Sequence, residues 1–198
     1  MNHDDKKKIL GFYEKALAEF GNDPRSVHWA DADTQAVRFE ALAKMIPERN
    51  VSVLDVGCGL GDLYKFFASK STPVDYVGID IVPAFIERAR ERFPSALFLC
   101  GDAETLEGKY DYILASGVLS FAIPNAKAHY FNTIKTMYDH AKCGIAFNML
   151  NELAHPSDDT FIAYDKDEVV RYCKTISPHV AVASNYLPWD FTIYMYKE

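Results

Sequence analysis

The sequence contains no long apolar run, no closely spaced cysteines and no excess of basic residues. No stretch of its 198 residues approaches the ~18 apolar residues that cross a bilayer, and the first residues are charged. We therefore expect neither a membrane segment nor a secretory signal. None of the cysteines forms a C-x-x-C pair, so we expect small buried residues in a reducing, cytoplasmic compartment: Cys58, Cys100, Cys143 and Cys173.

The balance of charge argues against a nucleic-acid partner. Asp and Glu number 28 against 21 Lys and Arg, so no basic face for a polyanion is expected. No Asp/His cluster has the spacing of metal ligands, and we expect no metal. Hydrophobic residues make up 49% of the chain, enough to bury a full core. We find no internal repeat, and predict a single domain over residues 1–198, either monomeric or homodimeric.

Two amphipathic helices are predicted within residues 1–50, which we interpret as an N-terminal extension to a core of residues 51–198. Apolar residues recur at helical spacing over residues 6–20, before a Gly-Asn-Asp-Pro sequence ends the pattern. A second helix is predicted over about residues 34–46, with Asp33 or Thr34 as its cap and Pro47 after its end. His28 and Trp29 lie in the connecting segment.

After residue 50, short apolar runs alternate with amphipathic stretches. Buried strands are predicted at residues 52–56, 76–80, 96–100, 110–115 and 145–150, and helices notably at residues 83–93 and 126–141. This alternation predicts parallel strands joined by right-handed crossovers, with helices on both faces. Two further runs, residues 180–186 and 191–196, predict an antiparallel hairpin at one sheet edge.

The most informative segment is the glycine-rich turn that follows the first strand, Asp55-Val56-Gly57-Cys58-Gly59-Leu60-Gly61-Asp62. Glycine is needed where the backbone turns sharply or approaches a ligand closely. The dinucleotide fingerprint is G-x-G-x-x-G, but here the third glycine comes one residue early and Asp62 takes its place. This spacing disfavours pyrophosphate binding and hence a dehydrogenase.

Acidic residues follow the next two strands. Asp80 stands where nucleotide-binding α/β folds place the acid that accepts ribose hydroxyl bonds, or it caps the helix before Pro83. Asp102 could receive a purine amino group, or cap a turn with Gly101. Because the ends of parallel strands face one crevice, the joint occurrence of the loop and both acids is far more specific than any single member.

This combination resembles the class I S-adenosylmethionine-dependent methyltransferases, through Asp55-x-Gly57-x-Gly59-x-Gly61, Asp80 and Gly101-Asp102-Ala103. The motifs cover residues 52–119, and the rest of the chain resembles the family only in the order of its helices and strands. The resemblance implies a Rossmann-like three-layer α/β/α sandwich with a seven-stranded, mostly parallel sheet. Its order is 3-2-1-4-5-7-6, with strand 7 antiparallel. The implied cofactor is S-adenosylmethionine, and the product is S-adenosylhomocysteine.

The resemblance also implies roles for the motif residues. The loop with Gly57, Cys58, Gly59 and Gly61 lies against the methionine part, while Asp55 orients the loop and the amino group. Asp80 holds the ribose, Ile81 packs on the adenine, and Asp102 with Ala103 meets the adenine edge. Ser116 falls where family members contact the methionine portion and admit the acceptor.

Methyl transfer needs positioning and exclusion of water more than a strong base, so we expect residues 1–50 to form a lid. Gln35 and Arg38 share a helix face, and Arg38 is predicted either to pair with the methionine carboxylate or to be a solvated helix residue. Trp29 and Tyr13 could cover the cofactor with their aromatic rings, or pack in the core.

Histidines are the candidate general bases, because their pKa lies near neutrality. His155, in the segment 148–159 after the fifth strand, is our first choice, with a surface-loop histidine as the alternative. His28 is the second candidate. We expect His129 and His140 on the surface of the helix at residues 126–141, as structural or solvated residues.

These observations favour methyl transfer to a small-molecule acceptor at oxygen, nitrogen or carbon. A nucleic-acid methyltransferase is the first rival, but residues 115–118 lack the Asn/Asp-Pro-Pro-aromatic motif of enzymes that modify base amino groups. A protein methyltransferase and a non-catalytic S-adenosylmethionine-binding protein are two further rivals.

Overall fold

The computed structural model describes residues 1–197, and at its centre is one seven-stranded sheet with the order β3-β2-β1-β4-β5-β7-β6. The strands are β1 Val51–Val56, β2 Val74–Asp80, β3 Leu97–Cys100, β4 Tyr110–Ala115, β5 Ala141–Leu150, β6 Val180–Ala183 and β7 Asp190–Tyr196. All neighbouring strands are parallel except that β7 runs antiparallel to β5 and β6. The predicted fold class, strand order and direction of strand 7 are confirmed.

Within the same residues, α-helices cover both faces of the sheet: α1 His3–Phe20, α2 Ala32–Ala43, α3 Asp62–Ser69, α4 Pro83–Arg92, α5 Ala126–His140 and α6 Lys166–Lys174. Successive residues of one strand pack on opposite faces of the sheet. Leu54 of β1 belongs to the core cluster that includes residues of α1, α5 and α6, whereas Val53 belongs to the cluster with residues of α2, α3 and α4. Strands buried on both faces read as continuous apolar runs, which is why the sequence shows them clearly.

The structure corrects several local predictions. α2 begins at Ala32 with Asp31 as its N-cap, because the Asp31 carboxylate accepts the Thr34 N–H at 2.7 Å. β6 ends at Ala183 rather than at residue 186. Cysteine burial was predicted for the whole set, but Cys100 is exposed and Cys143 is only partly buried.

Sequence reasoning missed α6 altogether. Asp165 caps it by accepting the N–H groups of Asp167 and Glu168, and Val169 and Cys173 are completely buried one turn apart. The signal was present as an Asp three residues before a Glu, followed by apolar residues at helical spacing.

The chain leaves β1 for β2 on one side, while β4 pairs with β1 on the other. Such a reversal of strand order opens a crevice at the carboxyl ends of the strands, where open α/β sheets bind ligands. Among the helices of residues 1–197, none combines the length and apolar character needed to cross a membrane.

Candidate active site

The turn after β1 needs glycine for its backbone conformation. Gly57 and Gly59 have φ values of +73° and +51°, in the left-handed region that residues with a Cβ seldom adopt. A Cβ on Gly57 would lie 2.6 Å from the side chain of Val118, and one on Gly59 would lie 3.0 Å from Val27. The loop is therefore packed between the segment after β4 and the N-terminal segment.

The Asp80 carboxylate is held by backbone N–H groups on two sides. One carboxylate oxygen accepts the Gly59 N–H and the other accepts the Val82 N–H at the start of α4, each at 2.9 Å. Burial raises the pKa of Asp80 to about 6, although these backbone N–H groups oppose the shift. The same side chain thus ties the glycine loop to the end of β2 and to Val82, the residue that precedes α4.

Asp55 lies one strand away and is also buried, at 2% exposure. Its carboxylate accepts the Tyr76 hydroxyl proton at 2.6 Å. Burial raises the pKa of Asp55 to about 7. Within residues 1–197, neither Asp55 nor Asp80 forms an ion pair with a basic side chain. The crevice therefore holds two buried carboxyl groups without a basic partner among the described residues, and a cationic ligand group would favour their charged forms.

Asp102 is paired with a residue that sequence reasoning did not connect to it. Lys6 of α1 places its ammonium 2.8 Å from one carboxylate oxygen, and the other oxygen accepts the Glu104 N–H. Burial alone would raise the pKa of Asp102, but the Lys6 ammonium and the Glu104 N–H outweigh burial and lower it. This ion pair fastens the first helix over the end of β3.

A cavity of about 440 Å³ lies between these strand ends and the N-terminal segment. Almost all of the predicted cofactor residues line it: Trp29, Arg38, Asp55, Gly57, Cys58, Gly59, Asp80, Ile81, Asp102, Ala103 and Ser116. Gly61 is the exception, because a Cβ there would point at the rings of Phe98 and Phe93, within about 3 Å. We therefore describe Gly61 as a packing position of the turn.

Arg38 and Trp29 are joined in a buried cluster of the cavity wall. The Arg38 guanidinium forms an ion pair with Asp190 of β7, and lies 4.2 Å from the centre of the Trp29 ring. Arg38 is 4% exposed, so the interpretation as a solvated helix arginine is wrong. Trp29 in turn packs on Gly117, where an added Cβ would be 2.7 Å from the indole.

Polar residues that sequence reasoning missed surround Ser116. Its hydroxyl donates to the Asn148 side-chain oxygen at 2.9 Å, and the Asn148 amide donates to Thr192 at 2.7 Å. Tyr186 lies in the same group, 2.8 Å from Thr192. An asparagine inside the otherwise apolar run of β5 was the available signal, since a buried polar residue calls for partners.

The two candidate bases both line the cavity, in different surroundings. His28 stacks on Phe12 with ring centres 4.2 Å apart, and burial lowers its pKa. The Nδ1 atom of His155 is buried and has no hydrogen-bond partner among the described residues. His129 is partly buried and lines the same cavity, with Nδ1 3.2 Å from Glu104, which agrees with the structural alternative rather than the solvated one.

Comparison with known proteins identifies the family. A family model described as a methyltransferase domain matches residues 53–144. Over 157 residues the chain is 30% identical to Rv1506c, a methyltransferase-family protein of Mycobacterium tuberculosis, a match that covers 74% of this chain and 93% of that protein. The chain belongs to the class I S-adenosylmethionine-dependent methyltransferases.

Solved structures share the complete fold of this methyltransferase. Magnesium protoporphyrin IX methyltransferase of Synechocystis, crystallised with S-adenosylmethionine, gives a TM-score of 0.69 at 15% identity, over 100% of both chains. The plantazolicin methyltransferase BpumL, with S-adenosylhomocysteine and a triazolic desmethylPZN analogue, gives a TM-score of 0.68 at 15% identity, again over both full chains.

The residues of the methyltransferase fit its cofactor. S-Adenosylmethionine carries a sulfonium and an ammonium group, and the cavity offers the carboxylates of Asp55 and Asp80 without basic partners among residues 1–197. The turn at Gly57 and Gly59 leaves backbone exposed to the cavity with no Cβ in the way. Both features were predictable from the motif.

Proposed function

We propose that this methyltransferase modifies a small-molecule acceptor inside the cavity between its N-terminal segment and the loops after β4 and β5. The observation that carries the proposal is the shape of the site. Residues from α1, the 27–30 segment and α2 close over the strand ends and leave a cavity of about 440 Å³, within the usual range for a small-ligand pocket. The acidic balance of the chain supports this choice over a nucleic-acid acceptor.

On the cofactor side we assign the roles that the motifs imply. Gly57, Cys58 and Gly59 bound the methionine part, with Asp55 toward its ammonium group. Asp80 accepts ribose hydroxyls through lone pairs that Gly59 and Val82 leave available, and Ile81, Asp102 and Ala103 surround the adenine. Ser116, Trp29 and Arg38 border the methionine end, where Arg38 retains N–H groups beyond those used by Asp190 and Thr34.

Residues 1–50 act as the lid in this proposal. α1 is fastened by the ion pair between Lys6 and Asp102, and α2 by the pair between Arg38 and Asp190. The first pair joins the N-terminal segment to the residues just after the carboxyl end of β3, and the second joins it to the amino end of β7. Closure through these pairs excludes water from the reacting groups.

When bound, the cofactor supplies a methyl group on a sulfonium, already activated for displacement by an acceptor atom. The protein then has to align the acceptor and exclude water, which can supply much of the rate enhancement. His155 is our candidate for taking the acceptor proton, because its buried Nδ1 is available for a ligand. His28 is the second candidate.

The proposal is tested by binding followed by product detection. We expect S-adenosylhomocysteine to raise the melting temperature while NAD does not, because ligands that bind the folded state stabilise it. The protein is then incubated with S-adenosylmethionine and, separately, a metabolite extract, bulk RNA and a protein mixture. Mass gains of one methyl in the metabolite extract are expected. Methylation confined to RNA or protein would overturn the small-acceptor assignment.

A further inference from the structure

One side of the cavity has a wall of aromatic rings, formed by Tyr13, His28, Phe121 and Phe161 and called the aromatic wall below. The rings come from α1, the segment before α2, and the loops after β4 and β5. Phe121 and Phe161 meet edge to face at 6.1 Å, and His28 and Phe161 do so at 5.9 Å. The wall therefore joins four separate parts of the chain around one side of the site.

Main-chain hydrogen bonds hold the two phenylalanines in place. Ala122 donates its N–H to the Thr160 carbonyl, and Ile162 donates to the Ser120 carbonyl, both at 2.7 Å. Phe121 and Phe161 also face each other in an isolated antiparallel bridge. The rings are consequently fixed before a ligand arrives, which reduces the entropy lost on binding.

The cavity offers no unpaired permanent positive charge. Among the described residues that line it, Arg38 is the one lysine or arginine, and its guanidinium is paired with Asp190. Two lysines of α1 lie close by without lining the cavity. Lys6 is paired with Asp102, and Lys8, whose ammonium is 5.4 Å from the centre of the Phe121 ring, donates to the Ala122 carbonyl. A carboxylate or phosphate on the acceptor would lose its hydration without gaining a cation of its own, which is costly.

The unsatisfied Nδ1 of His155 marks where a ligand hydrogen belongs. This atom is buried and lacks a partner within residues 1–197, whereas most buried polar atoms are hydrogen-bonded. Its ring lines the same cavity as the aromatic wall. An O–H or N–H on a bound ligand would satisfy it.

We propose that the acceptor is an uncharged aromatic molecule whose ring packs on the aromatic wall and whose O–H or N–H donates to His155 Nδ1. This inference rests on the proposed function and names the acceptor class. In the transfer, the C–S bond breaks with its electron pair going to sulfur, and a bond from the acceptor oxygen or nitrogen to the methyl carbon forms. The acceptor proton passes to His155.

The test measures binding of four matched probes to the protein saturated with S-adenosylhomocysteine, by calorimetry at neutral pH. 2-Naphthol has the ring and the O–H, 2-methoxynaphthalene lacks the O–H, 2-naphthoate is charged, and trans-2-decalol is not aromatic. We expect 2-naphthol to bind at least about threefold more tightly than each of the others, the lower end of the effect of one hydrogen bond or aromatic contact.

Variants locate the preference in the wall and in the histidine. Phe161→Leu should weaken 2-naphthol by about threefold to tenfold while leaving trans-2-decalol little changed. Phe131→Leu is the matched control, since Phe131 stacks on Tyr172 at 4.2 Å and does not line the cavity. His155→Ala should abolish the preference for 2-naphthol over 2-methoxynaphthalene, because the methyl ether has no hydrogen to donate.

The outcomes separate this inference from the function on which it rests. Failure of S-adenosylhomocysteine to bind would overturn the proposed function itself. If that ligand binds but 2-naphthoate or trans-2-decalol binds as tightly as 2-naphthol, the aromatic acceptor is wrong. Equal effects of Phe161→Leu and Phe131→Leu would likewise overturn the role of the aromatic wall.

Discussion

Replacing Asp55 by asparagine should change how the stability of this protein depends on pH. Asp55 is buried at the end of β1, and burial raises its pKa to about 7, with smaller contributions from the negative charges of Asp80 and Asp62. Asparagine has nearly the same shape and can still accept the hydrogen bond from Tyr76. The substitution therefore removes the titration while preserving most of the packing.

The size of the effect follows from the two pKa values. An aspartate in the unfolded chain has a pKa of ~3.9, well below that of Asp55 in the folded state, so the unfolded state loses its proton first as pH rises. Because the folded state holds this proton more tightly than the unfolded state, protonated Asp55 contributes to the free energy of unfolding. This contribution is fully present below the unfolded pKa and is lost as pH rises through about 7. At ~1.4 kcal/mol per pKa unit the whole loss is about 4 kcal/mol, of which about 2 kcal/mol falls between roughly pH 5.5 and 8.5.

Urea unfolding across that pH range measures the effect. The free energy of unfolding of Asp55→Asn, relative to the unsubstituted protein, should rise by about 2 kcal/mol from the acidic to the alkaline end. Asp80 and Asp190 titrate in both proteins, so the difference reports Asp55 together with its coupling to the Asp80 charge. Asp159→Asn, an exposed position with the same change of charge, is the control and should show no such trend. A constant difference for Asp55→Asn, within about 0.5 kcal/mol, would refute the reasoning.

Two further substitutions test the glycine loop and the lid. Gly59→Val introduces a β-branched side chain at a φ of +51°, which should cost ~1–3 kcal/mol of stability. It should also weaken S-adenosylhomocysteine binding by at least about tenfold, measured by calorimetry on a variant that circular dichroism shows to be folded. An unchanged dissociation constant would show that the loop is not part of the binding site. Lys6→Met leaves Asp102 without its ammonium partner and should speed amide exchange in α1 by up to about fivefold, because a partly exposed pair contributes little more than ~1 kcal/mol. Lys15→Met, on the exposed side of the same helix, is the control. Equal exchange in the two variants would contradict the role of the Lys6–Asp102 ion pair in holding α1 over the end of β3.

Local patterns in the sequence were enough to predict most of the strands and the crevice at their carboxyl ends, while the family resemblance supplied the strand order. Strands buried on both faces produce apolar runs, and their alternation with helices restricts the topology to a parallel sheet. Only one helix and one strand separate the turn at Gly57 and Gly59 from Asp80. The spacing along the chain therefore indicates that they are related. Their placement at one crevice follows from the parallel direction of the strands.

What the tertiary structure alone decided is how distant residues share the remaining polar groups. The helix face of Arg38 left a ligand carboxylate and solvent as alternatives, and the fold instead brings Asp190 against it, 152 positions along the chain. The sequence analysis gave Lys6 no partner, whereas the fold places its ammonium 2.8 Å from Asp102. A single sequence carries spacing and periodicity but no record of which charges meet across the fold. Those pairings depend on burial, because only a buried charge must find a partner, and burial is a property of the assembled molecule.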